Sequence, residues 1–227
     1  MLSNDFFERE RTPLWLVAYA VYLYCVGLSF RQVARAVSVF AARSHEAVWF
    51  WYHRFGSLAD AFHIGYAKTA VVDERYVNVK GLGAWMWMAY EPKSKRLLSL
   101  RATWHRNELT AQLFLGWLKM RYRVRHVITD GASWYRYACH QLGLRHQVDD
   151  VSSNYVERLS KEVKRRLADF NLYFPCRCDK PFTHVNRWLD AWCIHYNHIR
   201  YHMAIGRPPC GEIDNPTRLF KLIQEPG

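Results

Sequence analysis

The sequence predicts an all-α domain over residues 1–62, followed by a mixed α/β domain over residues 63–227. The spacing of apolar residues is helical in the first part and changes to strand-like alternation in the second. Charge changes at the same point. Residues 1–62 hold six basic and five acidic residues, whereas residues 63–227 hold 26 basic and 15 acidic residues.

The composition favours a globular protein with a polyanionic partner. The 227 residues are 50% apolar and carry a formal net charge of +12, which favours nucleic acid or an anionic membrane. The six scattered cysteines and the charged first dozen residues predict free thiols, no signal peptide and a reducing cytosol. Residues 14–30 contain no charge, but the 17-residue run is short for a membrane span, so a buried helix is favoured.

Three helices are predicted in the first domain. Pro13 can begin the first helix and Gly27 ends it. Ser29 and Gln32 fit a capping box for a second helix, which is expected to run to about Phe40, and Ser44 can cap a third. Two short helices joined by a tight turn are typical of a helix-turn-helix, and a plain helical bundle is the alternative. The DNA-binding candidates on these helices are Arg31, Arg35, His45, Trp49, His53 and Arg54.

The second domain alternates strands and helices. Residues 70–79, 84–90 and 96–103 are predicted as an antiparallel meander, and residues 107–122 as a helix. That helix is expected to turn Leu109, Leu113, and Leu118 or Trp117 inward. A strand at 124–129, a helix at 133–142 and a strand at 144–148 complete a mixed sheet with helices on its faces.

Two acidic positions stand out in the predicted strands. Asp73 lies inside an apolar strand, where a carboxylate is costly to bury unless it is paired or holds a cation. Glu74 points to the opposite face, so one of these two carboxylates is expected to be solvated. Asp130 ends the fourth strand, where α/β sheets build their sites, although it could equally cap the next helix.

A third acidic position lies on a predicted amphipathic helix. Glu157 sits at the edge of its apolar stripe, and five basic residues occupy the nine positions 158–166. A solvated helix face with ion pairs is the simpler interpretation. Three carboxylates from two strands and a helix can instead converge on divalent metals, with the basic helix on the DNA backbone. Its DNA-binding candidates are Arg158, Lys161, Lys164 and Arg165.

These motifs resemble those of DDE transposases, most closely the IS6 (IS26-like) insertion-sequence group of the RNase H-like superfamily. The resemblance covers about residues 28–212. It rests on residues 28–33, on Val72-Asp73-Glu74-Arg75-Tyr76-Val77 and on Ile128-Thr129-Asp130-Gly131. It also rests on Asn154-Tyr155-Val156-Glu157 with the lysine seven residues later, and on the tail motif Tyr196-Asn197, Arg200, His202 and Pro209 to Glu212, which resembles retroviral-type integrases.

The resemblance implies a transposase with an RNase H-like catalytic domain. Asp73, Asp130 and Glu157 would hold two Mg²⁺ ions, with Mn²⁺ as a possible substitute, and would catalyse DNA cleavage and strand transfer. The first domain would bind the terminal inverted repeats. Double-stranded DNA and a homodimer or higher synaptic assembly are the expected partners, without a membrane or a small-molecule substrate. The expected location is the prokaryotic cytoplasm, in association with the nucleoid.

One spacing departs from that group and keeps alternatives open. Asp73 and Asp130 have 56 residues between them, which fits, but only 26 separate Asp130 from Glu157, fewer than usual. Glu162 is therefore a rival third ligand, and a degenerate transposase acting as a repressor is the alternative function. A simple RNase H-type nuclease would leave the helix-turn-helix unused. Structural zinc at the cysteines and histidines of residues 176–210 is disfavoured by poor spacing.

Overall fold

The computed structural model describes residues 10–62, 64–79, 82–149, 161, 163 and 181–211. Contacts divide the chain into two compact units. One consists of residues 1–63 with 190–227, and the other of residues 64–189. The functional division after residue 62 remains a prediction, because these units reflect packing alone.

Three helices form the core of the first unit, namely α1 (Leu14–Cys25), α2 (Phe30–Val37) and α3 (His45–Gly56). The predicted capping box is confirmed, because Ser29 and Gln32 accept hydrogen bonds from each other's backbone N–H groups. Ser44 caps α3 as predicted. Helix α2 ends at Val37, earlier than Phe40, so seven residues separate it from α3 and the connection is longer than a tight turn. The helix-turn-helix remains a prediction.

Aromatic and aliphatic side chains hold these helices together. Tyr24 of α1 stacks on Phe30 of α2 with ring centroids 3.9 Å apart, and meets Tyr52 of α3 edge-on at 4.4 Å. Helix α3 buries four large apolar side chains, namely Val48, Trp51, Tyr52 and Phe55. Helix α1 has only 12 residues, and no helix in the described part of the chain is long and apolar enough to cross a membrane.

The second unit contains a five-stranded mixed sheet in the order β3-β2-β1-β4-β5. Its strands are β1 (Thr69–Val79), β2 (Leu82–Glu91), β3 (Arg96–Thr103), β4 (His126–Thr129) and β5 (Arg145–Val148). The first three are antiparallel, which confirms the predicted meander, and β4 and β5 run parallel to β1. This arrangement agrees with the RNase H-like fold that the resemblance implied, and β1 lies at the centre of the sheet.

Two helices, α4 (Glu108–Tyr122) and α5 (Ser133–Gln141), pack against one face of this sheet. The prediction for the inner side of α4 is wrong for two residues, because Leu109 and Leu113 are 62% and 65% exposed. The buried side of α4 consists instead of Ala111, Phe114, Leu115, Leu118 and Tyr122. Both sides of this helix carry large apolar residues, so hydrophobic spacing alone did not identify the side that faces the sheet.

The last described helix, α6, spans Pro181–Ile194 and continues into a π-helix over His195–Ile199. Asn186 accepts a hydrogen bond at 2.8 Å from the backbone N–H of Ala102 in β3, which fixes the first half of α6 to the sheet. The π-helix is buried at His195, Tyr196, Asn197 and His198.

Candidate active site

The parallel pairing of β1 with β4 brings Asp73 and Asp130 to the same edge of the sheet. Val71 of β1 lies opposite Ile128 of β4. Continued for two residues along both strands, this register places Asp73 of β1 beside Asp130, which directly follows β4. Neighbouring strands lie about 4.8 Å apart, so the two carboxylates emerge from adjacent backbone positions.

Asp73 is a buried carboxylate with a partly exposed partner. The residue is 8% exposed, and its Oδ1 accepts a hydrogen bond at 2.8 Å from the backbone N–H of Glu74. Its Oδ2 lies 3.0 Å from Arg75 Nη2, and the Arg75 side chain is 37% exposed. The charge of Asp73 is therefore balanced by a side chain that can move into solvent.

Asp130 is exposed and shapes the turn that leads into α5. Its Oδ1 accepts a hydrogen bond at 3.1 Å from the Ala132 N–H. The N-cap of α5 is Ala132, so the interpretation of Asp130 as the helix cap is wrong. The hydrogen bond holds Oδ1 close to the backbone and orients the carboxylate at the sheet edge.

Gly131 is required by the turn that follows Asp130. Its φ is 89°, which disfavours any residue with a side chain, and a Cβ there would lie 2.8 Å from Val148 Cγ1 of β5. Its N–H donates to Thr129 Oγ1 at 3.1 Å. An open pocket of about 430 Å³ begins at this turn and is lined by Gly131, Ser133, Arg136, Tyr137 and His140.

Glu74 corrects the expectation that one of the two neighbouring carboxylates is solvated. It is 6% exposed, so both are buried. The Tyr135 hydroxyl of α5 donates a hydrogen bond to Glu74 Oε2, and Arg106 Nη1 lies 3.6 Å from Oε1. Sequence reasoning missed Tyr135 and Arg106. They are 61 and 32 positions from Glu74, and no local spacing signals their contacts.

Negative charge is concentrated around this position. Burial raises the pKa of Glu74, the Tyr135 hydrogen bond opposes that shift, and the charges of Asp73 and Asp130 add to it. Burial also raises the pKa of Tyr135 well above its ordinary value, with further contributions from Glu74, Asp73 and Asp130. The charges of Asp73 and Asp130 therefore both act on the buried pair of Glu74 and Tyr135.

The third predicted acidic residue, Glu157, lies outside the described residues, as do its rival Glu162 and the basic candidates Arg158, Lys164 and Arg165. Lys161 is exposed, and Val163, two positions on, is fully buried. Exposure of a basic residue and burial of an apolar one agree with the predicted polar and apolar sides of this segment.

The DNA-binding candidates of α2 and α3 differ in exposure. Arg31 and Arg35 are exposed on α2, and His45, Trp49 and Arg54 are partly exposed on α3. His53 is a correction, because it is only 3% exposed and its ring lies 4.3 Å from that of Trp49. The structure therefore leaves five of the six side chains accessible on these helices.

The oxygen ligands at the sheet edge suit a hard cation such as Mg²⁺. Asp73 and Asp130 supply carboxylates from adjacent strands, and metal ions of this kind prefer oxygen ligands. Within the described ranges, no group of three acidic, histidine or cysteine residues is positioned for a metal. Asp73 and Asp130 are the members of the predicted metal site that the described ranges include, and Glu157 lies outside them.

The sheet order and the two carboxylates beside each other agree with the RNase H-like DDE domain that the sequence resemblance implied. Residues 67–171 match the transposase DDE domain family of the IS240 type, described as a DDE domain. This segment contains Asp73, Asp130 and Glu157. This part of the chain is therefore similar to a transposase DDE domain, in agreement with the resemblance.

The chain is also similar to individual proteins. An uncharacterized protein of Methanocaldococcus jannaschii, MJ0017, is 28% identical over 202 residues, which are 88% of this chain and 94% of that protein. The catalytic core domain of BIV integrase is 20% identical, with a TM-score of 0.45 over 63% of this chain and 91% of its own. The HTLV-2 integrase catalytic core domain in complex with magnesium is 15% identical, with a TM-score of 0.48 over 65% and 97%.

Proposed function

We propose that this chain is a transposase that binds the terminal inverted repeats of an insertion sequence and catalyses metal-dependent cleavage and joining of DNA. The observation that carries the proposal is the register of β1 and β4, which brings Asp73 and Asp130 together inside a DDE domain. The net charge of +12 supports a polyanionic substrate.

Asp73, Asp130 and Glu157 would hold the divalent ions. When bound, the ions would supply an activated hydroxyl nucleophile and would stabilise the leaving oxygen of an in-line displacement. The first displacement would release a 3′-OH at the end of the element, and that hydroxyl would attack target DNA in the second.

The chain's own residues provide the setting for this chemistry. The sheet register sets the separation of Asp73 from Asp130, and the Gly131 turn sets the direction of Asp130. Arg75 would compete with a bound cation for Asp73, because its Nη2 lies 3.0 Å from Asp73 Oδ2. Lys161, exposed on its segment, would contact the DNA backbone.

The test is nicking of a labelled repeat-end duplex, followed by strand transfer into a plasmid. Asp73→Asn, Asp130→Asn and Glu157→Gln remove ligand charge and keep side-chain shape, so both steps should fall by at least about a thousandfold while DNA binding persists. Glu162→Gln is the matched control and should remain active. If Glu162→Gln were inactive and Glu157→Gln active, Glu162 would be the third metal ligand in place of Glu157.

The second candidate function is that of a catalytically degenerate transposase acting as a repressor. The observation that favours it is the interval of only 26 residues between Asp130 and Glu157. A wild-type protein that binds the repeat tightly but neither nicks nor joins with Mn²⁺ would establish this function. Measurable joining would exclude it.

Sequence preference would come from α2 and α3. Arg31 and Arg35 are exposed along α2, and direct reading of bases requires side chains in the major groove. Arg31→Ala with Arg35→Ala should remove the preference for the inverted repeat over unrelated duplex, and Arg11→Ala, an exposed arginine before α1, should not. If the double variant kept its full preference for the inverted repeat, α2 and α3 would be assigned to subunit assembly instead.

We also infer a homodimer or higher assembly, because two DNA ends must be joined.

A further inference from the structure

Arg106 lies in the loop between β3 and α4, and its guanidinium has no part in the proposed chemistry of the carboxylates. The Cζ of Arg106 lies 3.8 Å from the centroid of the Trp85 ring and 4.7 Å from that of Trp134. Its Nη1 lies 3.6 Å from Glu74 Oε1. The guanidinium is therefore held by two aromatic rings and one carboxylate.

These contacts fix the guanidinium without using its hydrogen-bond donors. An arginine carries five N–H donors, and 3.6 Å is too long for a hydrogen bond. Among the described residues, Arg106 meets only Glu74, Trp85 and Trp134. Its side chain is 36% exposed, so the donors are accessible to a ligand from solvent.

The residues around Arg106 are themselves held in place. Glu74 accepts the hydrogen bond of the buried Tyr135 hydroxyl, and this ties β1 to the first turn of α5. The Trp134 ring is fixed on the same turn, beside the Tyr135 ring at 6.3 Å. Because rotation of the Arg106 side chain is restricted before any ligand arrives, less conformational entropy is lost on binding.

The position of Arg106 relates it to the predicted catalytic edge. Glu74 follows Asp73 directly in β1, and Trp134 lies four residues after Asp130. The two positions that meet Arg106 are thus joined through short backbone segments to the two carboxylates. Arg106 follows the end of β3 and Asp130 follows the end of β4, and both strands run parallel to β1, so the two residues lie at the same end of the sheet. A DNA strand bound at Asp130 would therefore pass the loop that carries Arg106.

We propose that Arg106 is a phosphate-binding residue that grips the DNA backbone beside the reacting phosphate. A planar guanidinium with free donors matches two phosphate oxygens at once, and aromatic stacking sets its plane. The exposed Trp104 and His105, its immediate neighbours, extend a surface suited to a polynucleotide. This proposal rests on the proposed DNA-processing function.

The experiment measures the affinity of the full chain for a labelled duplex of arbitrary sequence, by fluorescence anisotropy across a series of KCl concentrations. Arg106→Ala should weaken binding about tenfold and reduce the salt slope by about 0.9, the value of one phosphate contact. Arg101→Ala is the matched control, because Arg101 also stacks on a tryptophan, with its Cζ 5.5 Å from the Trp117 centroid.

Arg106→Lys separates charge from geometry. Lysine keeps the positive charge but lacks the paired N–H donors of the guanidinium. The salt slope should therefore stay near that of the wild type, while the affinity for the duplex falls. Equal slopes for the wild type and Arg106→Ala, or equal losses in Arg106→Ala and Arg101→Ala, would overturn the proposal. Wild-type protein that binds no duplex at all would instead refute the proposed function. Circular dichroism of each variant checks that its fold is retained.

Discussion

Asp73 and Glu74 are adjacent carboxylates on opposite faces of one central strand, and they are almost equally buried. They differ in what surrounds them. Asp73 is balanced by Arg75, whose side chain is partly exposed, whereas Glu74 accepts a hydrogen bond from the fully buried Tyr135. Burial therefore does not distinguish these two residues, but the solvent exposure of their partners does.

The difference shows how one strand can serve two purposes. A carboxylate whose partner can move into water is available to a cation, because the partner's departure leaves no buried charge unpaired. A carboxylate held by a buried hydroxyl cannot exchange that partner without leaving a polar group unsatisfied. On this basis Asp73 is the ligand and Glu74 is the fixed anchor of α5 and Arg106.

Removing the anchor's hydrogen bond should produce the largest change in stability. Tyr135→Phe leaves the buried Glu74 carboxylate without its donor, so the free energy of unfolding should fall by about 1–3 kcal/mol. The measurement is urea unfolding at neutral pH. Tyr137 is an exposed tyrosine of the same helix, so Tyr137→Phe should change the free energy of unfolding little. Equal effects of the two substitutions would contradict the role of Glu74 as an anchor.

The pH dependence of stability should identify the buried carboxyl. Burial raises the pKa of Glu74 above its ordinary value of 4.5, so the folded chain binds more protons than the unfolded chain above that pH. The wild type should therefore lose stability relative to Glu74→Gln as pH rises from 4.5 through the raised pKa. Urea unfolding of both proteins across this range measures the difference, and a difference that grows in the opposite direction would be contrary to the assignment.

The smallest expected effect is on metal affinity and concerns Arg75, the partly exposed partner of Asp73. Arg75→Gln removes the competing cation from a partly exposed ion pair, and such pairs contribute about 0.2–1 kcal/mol. Affinity for Mn²⁺ should therefore increase only a few-fold. This affinity is measured by titrating the protein with Mn²⁺ and following the free ion by electron paramagnetic resonance. Weaker Mn²⁺ binding by Arg75→Gln would show that Arg75 does not compete for Asp73.

Much of the fold was predictable, because its signals are local. The capping box of Ser29 and Gln32 and the strand at residues 96–103 depend on neighbours within a few positions. The carboxylates Asp73 and Asp130 were also accessible to sequence reasoning, since each ends or interrupts an apolar strand. The structure adds the register that places them side by side.

Other features depend on residues far apart in the chain. Alternation predicted that Asp73 or Glu74 would be solvated, but β1 is a central strand and is buried on both faces. The apolar residues on both sides of α4 left the orientation of Leu109 and Leu113 undetermined. The contact of Arg106 with Trp134 and Glu74 joins three separate elements, so no spacing rule reveals it.

The most direct test of the account is a calorimetric titration of the full chain with Mn²⁺, comparing the wild type with Asp73→Asn and Glu74→Gln. The two substitutions remove the same charge at neighbouring positions, so they differ only in the face of β1 that they alter. We predict that Asp73→Asn abolishes the binding heat and that Glu74→Gln retains it, with a dissociation constant within about tenfold of the wild type. Loss of Mn²⁺ binding in Glu74→Gln together with its retention in Asp73→Asn would contradict the account.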